Sequence, residues 1–332
     1  MNIAFTICSN NYLAQAKTLG DSIKKYHPEY KFVIALVDRF SDKIDYNFFQ
    51  PHEVVKIEDV GVVDLETMVY TYTIIELNTA VKPSVFTYLF KKYPAAQNVI
   101  YFDPDIMLYD RLTVLENGLK ENNFALTPHF FTPIYDDKKL AEPDILNAGL
   151  YNLGFIAIKR SAEGEKMLDW WTRKLKNECV VSFDRGLFVD QLWINFVPIY
   201  FENVLVLKHR GHNIAYWNLH ERKVFQEDGK YYVNDKQNPL VFFHYSGYTF
   251  TKTNVLSKYQ NRFTFESRPD VVPLFTEYTK LVLENRHQDF AGIACYFVEV
   301  KKERDRLIRK QDNLIKRGRR YLKRKWNTYK NR

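Results

Sequence analysis

Asp103 and Asp105 interrupt the run Val99-Ile100-Tyr101-Phe102-Asp103-Pro104-Asp105-Ile106-Met107-Leu108, which is otherwise apolar. A run this rich in aromatic and β-branched residues predicts a buried central strand, and side chains two apart on a strand point to the same face. Two carboxylates on one face repel, and each raises the pKa of the other. A cation between them at the strand's end relieves the repulsion and the cost of burying charge. Hard divalent ions suit oxygen ligands and commonly take one or two carboxylates plus the phosphates of a substrate, so the pair points to Mg²⁺ or Mn²⁺ and a nucleotide or diphosphate ligand. An Asp-Pro-Asp turn capping the following segment would use the same residues without a metal.

His244 ends another apolar run, Leu240-Val241-Phe242-Phe243, and is expected at a strand end as well. A neutral imidazole there would complete a mixed oxygen and nitrogen site; a core histidine with one satisfied hydrogen bond would read the same way.

These ends must be carried by a sheet. Ile3 to Cys8 predicts a first buried strand, Ser9-Asn10-Asn11 a polar turn, and Tyr12 to Tyr26 a helix with Leu13, Ala16, Leu19 and Ile23 on one side. Lys31 to Val37 and Glu53 to Ile57 predict further strands, and Asp64 to Tyr93 is mostly helical with a break at Pro83. Phe124 to Thr127 and Phe155 to Lys159 read as strands, Ala162 to Lys176 and Asp190 to Phe196 as helices. Between Val204 and Tyr248 the runs are short and strand-like, with Glu227-Asp228-Gly229-Lys230 as a turn; from about Glu266 onward the pattern is helical. The alternation predicts an α/β fold with an open, mostly parallel sheet, whose ligands sit beyond the carboxyl ends of the strands. No glycine-rich phosphate fingerprint follows the first strand, which disfavours a dinucleotide oxidoreductase.

Three cysteines, Cys8, Cys179 and Cys295, are an odd number without metal-ligand spacing and predict a reduced, cytoplasmic setting. No basic-then-apolar leader and no stretch of 18 apolar residues occurs, so neither a signal peptide nor a transmembrane helix is expected. The 25 Phe and 23 Tyr suit sites for planar or sugar rings as readily as an aromatic core. The formal net charge of +8 is unevenly spread: Val300 to Arg332 holds 15 Lys and Arg against three acids, a net of +12, which leaves the rest of the chain at −4.

The ordered set Ser9-Asn10-Asn11-Tyr12, Lys82, Tyr101-Phe102-Asp103-Pro104-Asp105, Tyr151-Asn152-Leu153-Gly154, Asp190-Gln191 and His244-Tyr245-Ser246-Gly247 resembles the retaining nucleotide-sugar glycosyltransferases of family 8. That family includes glycogenin and bacterial lipooligosaccharide galactosyltransferases, and the likeness spans roughly residues 1 to 250. It implies a single GT-A (Rossmann-like) domain over residues 1–265, with 266–332 as a C-terminal helical extension. It also implies that Asp103, Asp105 and His244 hold one Mn²⁺ (or Mg²⁺) bridging the diphosphate of a nucleotide sugar, a UDP-sugar first of all. Ser9, Asn10, Asn11 and Tyr12 are then the first-turn residues for base and ribose, although the family's acidic residue is absent from this turn, and two asparagines there also suit plain turn chemistry. Lys82 matches a basic residue that contacts the donor, as a point charge rather than a bidentate fork. Gly247 lets the backbone approach the phosphates. The family's Lys-Pro-Trp does not follow it; Tyr248-Thr249-Phe250-Thr251-Lys252-Thr253 does, leaving Lys252 as the lysine for the diphosphate or a solvated loop residue.

Asn152, Asp190 and Gln191 match positions beside the transferred sugar; an N-cap role fits Asp190 equally. Retention requires a covalent intermediate or attack on the face that the leaving group vacates. Gln191 is a poor nucleophile, which favours front-face attack, with the leaving diphosphate oxygen taking the acceptor proton and Gln191 stabilising positive charge at the anomeric carbon. Inversion would need a general base, for which Asp184, Asp190 and Glu221 are available. The stretch His209 to Arg222 is expected beside the site, with Trp217-Asn218 packing against it.

The tail repeats apolar pairs every seven residues at Leu307-Ile308, Leu314-Ile315 and Tyr321-Leu322, a seam too thin for a coiled coil. Its charge with Trp326 suits an anionic membrane surface, which implies a peripheral enzyme on the inner face of the cell membrane acting on a glycan or lipid-linked acceptor. Nucleic acid would use the same charges; a non-catalytic sheet domain with a nucleic-acid-binding tail is the reading from another class, and the mildly acidic body argues against it.

Overall fold

The computed structural model describes residues 1–330, with side chains through residue 311 and at 313, 315, 316 and 319. β1 (Asn2–Cys8) is buried from Ile3 to Cys8 without a break, as a strand covered on both faces must be. β2 (Lys31–Leu36) and then β3 (Glu53–Lys56) continue the sheet in parallel on one side, and β4 (Asn98–Phe102) pairs in parallel on the other. β5 (Ile106–Leu108) leaves this sheet; β6 (Phe124–Pro128) and β7 (Tyr151–Lys159) rejoin it. After a small hairpin of β8 (Val181–Ser182) and β9 (Leu187–Phe188), β10 (Val204–Val206) closes the order β10-β6-β7-β4-β1-β2-β3. Only β7 is antiparallel, between β4 and β6. The expected α/β class and mostly parallel mixed sheet are therefore the observed ones. β11 (Val224–Glu227), β12 (Lys230–Val233) and β13 (Asp235–Pro239) make a separate antiparallel sheet, and β14 (Phe242–His244) pairs antiparallel with β5.

The helices on the sheet's faces are α1 (Leu13–Tyr26), α2 (Leu65–Thr71), α3 (Ile74–Ala80), α4 (Lys82–Lys92), α5 (Thr113–Glu121), α6 (Glu142–Ala148), α7 (Ala162–Glu178) and the short α8 (Val197–Tyr200). Pro83 starts a helix rather than breaking one, because it sits in the first turn of α4, where a missing N–H leaves no bond unmade. The real break precedes α3, whose Thr73 accepts from Glu76 N while Glu76 accepts from Thr73 N. The helix expected over Asp190 to Phe196 is a 3₁₀ turn at Leu192–Phe196 that runs into α8.

The run from Val99 to Leu108 is two strands, not one. β4 stops at Phe102, Ile106 N donates to Asp103 O at 3.1 Å to close a turn, and β5 departs toward β14. A turn, rather than strand alternation, brings the two carboxylates together.

Among the described residues, three α-helices follow residue 265: α9 (Val272–Glu284), α10 (His287–Phe290) and α11 (Tyr296–Lys330). Leu274, Phe275, Tyr278, Val282 and Phe290 are buried in the same apolar cluster as Ile34 and Ile100, so α9 and α10 complete the core of the sheet domain. The start of α11 is fixed too. Asp38 accepts from Tyr296 N at 2.8 Å, a carboxylate at a helix N-terminus, and Lys301 Nζ donates to Thr71 O and Tyr72 O. Beyond that point Leu307, Ile308 and Ile315 are exposed, while the side chains of Leu314, Leu322 and Trp326 lie outside the described residues. Among the described residues no helix is long and apolar enough to cross a membrane.

Candidate active site

The turn at the end of β4 is held by its backbone. Asp103 N donates to Gly154 O at 2.8 Å, and Tyr245 N donates to Asp105 O at 2.8 Å. Register places His244 opposite Ile106, so its ring faces the turn, with Nε2 at 3.1 Å from Asp105 Oδ1 and 3.6 Å from Asp103 Oδ2. The three ligand atoms lie within 4.8 Å of one another. Octahedral Mg²⁺ with ligands at about 2.1 Å has edges of about 3 Å between neighbouring ligands, so the set fits a small divalent ion. Burial pushes the Asp103 carboxyl up, and the charge of Asp105 adds to that against His244 and Lys82. Burial opposes the imidazolium, yet Asp105 and Asp103 together hold His244 above its ordinary pKa. The site is short of positive charge, and a metal would supply it. Tyr101 Oη donates to Asp103 Oδ1 at 2.5 Å and fixes that carboxylate.

Behind the turn lies a buried polar ring that the sequence pattern only partly marks. Asn152 Oδ1 accepts from Gly154 N and from Asn213 Nδ2, each at 3.1 Å, and Asn213 Nδ2 also reaches Thr127 Oγ1. Asn218 Nδ2 donates to the carbonyls of His129 and Asn213. His129 is driven down to a pKa of about 4 by burial and stays neutral, with Nδ1 on Leu150 O and Nε2 toward Asn152 Nδ2. Trp217 stands edge-on to His244 at 5.1 Å between ring centroids and also touches His129. Gly154 has no room for a side chain: a Cβ there would lie 2.4 Å from His244 Cε1. Asn213 lies in the stretch His209 to Arg222 expected beside the site, whereas Thr127, at the end of β6, and His129, just after it, have no neighbouring motif and carried no signal in the sequence.

Lys82 and Asp190 are both buried and meet as an ion pair at 2.5 Å, and Lys82 also donates to Leu153 O. The Lys82 ammonium stands 4.1 Å from the Tyr101 ring centroid, which couples the pair to the carboxylate turn. Burial raises the Asp190 carboxyl against the pull of Lys82. Val189, just before it, adopts φ +40°, a strained conformation for a β-branched residue. Gln191 Nε2 donates to Ala148 O, and its Oε1 accepts from Leu153 N at 3.0 Å.

The first turn faces a cleft of about 300 Å³ shared with Asp105 and the loop after His244. Asn11 and Tyr12 line it, and Tyr12 is 45% exposed. Ser9 and Asn10 point inward. Ser9 Oγ donates to Val37 O, while Asn10 is spent on Arg39 O and the Tyr46 hydroxyl. Gly247, at φ +74°, approaches so closely that a Cβ would lie 2.5 Å from Ser257 Oγ. Lys252 is exposed on a turn outside the cleft; the chain folds back there, Lys258 N donates to Gly247 O, and Lys258 is the lysine that lines the cleft.

No protein-family model matches the chain. It is similar to two uncharacterized proteins of Bacillus subtilis (strain 168). YfnF is 25% identical over 300 residues, covering 87% of this chain and 96% of that one. YfnD is 24% identical over 256 residues, 74% of this chain and 77% of that one. Among solved structures it is similar to the galactosyltransferase LgtC in complex with donor and acceptor sugar analogs, at a TM-score of 0.49 and 15% identity over 86% of this chain and 96% of that one. It is also similar to the apo form of the bifunctional glycosyltransferase WbbM, at a TM-score of 0.48 and 15% identity over 91% of this chain and 51% of that one.

Removing one member of a buried ion pair leaves the other charge uncompensated. Lys82→Met is therefore expected to cost about 3–5 kcal/mol in urea denaturation at neutral pH, and less at acid pH, where Asp190 is protonated. Lys82→Met combined with Asp190→Leu is expected to recover most of the loss; a single variant as stable as the parent would refute the pairing.

Proposed function

We propose that this chain is a glycosyltransferase that moves a sugar from a nucleoside-diphosphate donor, a UDP-sugar first of all, to a glycan or lipid-linked acceptor, and that it needs Mn²⁺ or Mg²⁺. The observation that carries this reading is the convergence of Asp103, Asp105 and His244, the second of which lines a cleft with Tyr12, Gly247 and Lys258. When bound, the ion would supply charge that stabilises the departing nucleoside diphosphate. The residues do the rest. Gly247 admits phosphate to its backbone, Lys258 adds a cation beside it, and Tyr12 offers a ring face to the nucleoside. The Lys82–Asp190 pair and Asn152 would stand beside the transferred sugar, as the family likeness implies.

Retention is favoured by what the three candidate general bases are doing. Asp190 is paired with Lys82. Glu221 accepts from Phe131 N and Thr132 Oγ1 and touches Arg222. Asp184 accepts from Ser182 on the exposed turn between β8 and β9. Gln191 Oε1 accepts one bond and keeps a second lone pair for positive charge at the anomeric carbon. Front-face attack, with the acceptor proton passing to the leaving oxygen, fits this arrangement.

The exposed apolar residues Leu307, Ile308 and Ile315 on a strongly basic helix support attachment to an anionic membrane, which would place the enzyme at the inner face of the cell membrane.

Three outcomes are expected. With a panel of nucleotide sugars, turnover should require Mn²⁺ or Mg²⁺ and fall by about a hundredfold or more in Asp105→Ala with Tm retained, and NMR of the first product should show the donor's anomeric configuration. Full activity in that variant refutes the metal assignment, and an inverted product refutes retention. A chain ending at Arg306 keeps the contacts of Phe297 and Lys301 and should lose salt-sensitive sedimentation with anionic vesicles while still turning over a soluble acceptor. Unchanged vesicle binding, or much tighter binding of the tail to nucleic acid than to lipid, refutes the membrane role.

A further inference from the structure

Three residues that line the cleft beside Asp105 carry a buried polar atom without a partner among the described residues: Gln15, Tyr278 and His287, the last at its Nδ1. Gln15 on α1 is 5% exposed, and its Oε1 has no hydrogen-bond partner among the described residues. Tyr278 on α9 is 1% exposed, and its hydroxyl has none either. Both residues line the same cleft as Tyr12, Asp105 and Gly247. A buried polar group without a partner costs stability, and folded proteins keep few of them.

Both residues are rigidly placed. The Tyr278 ring stacks on Tyr245 at 3.8 Å and 2°, and Tyr245 directly follows His244. α9 is tied to α1 by Asn285 Nδ2, which reaches Thr18 Oγ1 at 2.9 Å. Gln15, in the first turn of α1, lines the cleft together with Asn11 from the turn before it. Burial, then the charge of Asp105, hold the Tyr278 phenol protonated, so it can donate. The two groups are neutral, unlike the carboxylates and Lys258, and so suit neutral hydroxyls and amide edges rather than phosphate. Asn10, the first-turn residue that the family likeness assigns to the base, is already spent on Arg39 O and Tyr46.

We propose that Gln15 and Tyr278 hydrogen-bond the nucleoside of the donor, its base edge and ribose hydroxyls, and so determine which nucleotide this chain accepts. The inference rests on the glycosyltransferase reading of the same cleft. A hydroxyl that contacts only ligand has a distinctive signature: its removal weakens binding without weakening the fold.

The full chain is titrated calorimetrically with UDP, GDP, ADP and CDP in the presence of Mn²⁺, and the tightest binder is taken to Gln15→Met and Tyr278→Phe, with inorganic pyrophosphate as the probe that lacks a nucleoside. Each variant is expected to raise the Kd of the nucleoside diphosphate about three- to tenfold, leave that of pyrophosphate unchanged, and keep or raise Tm. Parental affinity in both variants overturns this assignment and leaves the proposed function standing. An equal loss for pyrophosphate, or a fall in Tm in both variants, overturns it as well, because the groups then serve the diphosphate or the fold. If no nucleoside diphosphate binds the parent with Mn²⁺ present, the proposed function and this inference fall together.

Discussion

Like charges are brought together at one turn, and the surrounding architecture makes that arrangement tolerable. Asp103 and Asp105 flank Pro104 at the end of β4, where their backbone is anchored to Gly154 O and Tyr245 N. His244 is delivered from the opposite direction by the β5–β14 pairing. Such a cluster is costly in a partly buried site unless a cation joins it, and Asp103 and His244 respond by holding protons more tightly than usual. The turn therefore links fold to chemistry: the backbone can afford a strong, oriented negative field only where a ligand will neutralise it.

The groups behind the turn are tied to one another. Asn152, Asn213 and Asn218 share hydrogen bonds with backbone carbonyls, a backbone N–H and the Thr127 hydroxyl, and the neutral His129 closes the ring. Lys82 and Asp190 neutralise each other in the interior, next to the strained backbone of Val189. Unmet hydrogen-bonding capacity remains on both sides of the turn: at Asn213 Oδ1, Trp217 Nε1 and His244 Nδ1 behind it, and at Gln15, Tyr278 and His287 in the cleft wall.

Much of this was legible in the sequence. Continuous apolar runs identified β1, β2 and β4, and the break in the third run exposed the two carboxylates. Spacing alone does not distinguish a strand from a turn, since both put residues two apart close together, and the turn emerged only with β5 paired elsewhere. The antiparallel direction of β7 was hidden because a strand buried on both faces reads alike in either orientation. The Lys82–Asp190 pair spans 108 residues and leaves no local pattern. Lys258 rather than Lys252 lines the cleft because the loop folds back on Gly247, a path fixed by tertiary contacts. Tyr278 looked like an ordinary helix residue, and only the packing of α9 on α1 puts it in the cleft wall.

The central claim is that Asp103, Asp105 and His244 bind one divalent ion, and spectroscopy can observe this without any substrate. Electron spin-echo modulation of Mn²⁺ added to the full chain should show a single directly bound ¹⁴N, which disappears in His244→Gln while the carboxylates still retain the ion weakly. Mn²⁺ that binds without nitrogen coupling, or a coupling that survives His244→Gln, would contradict the account.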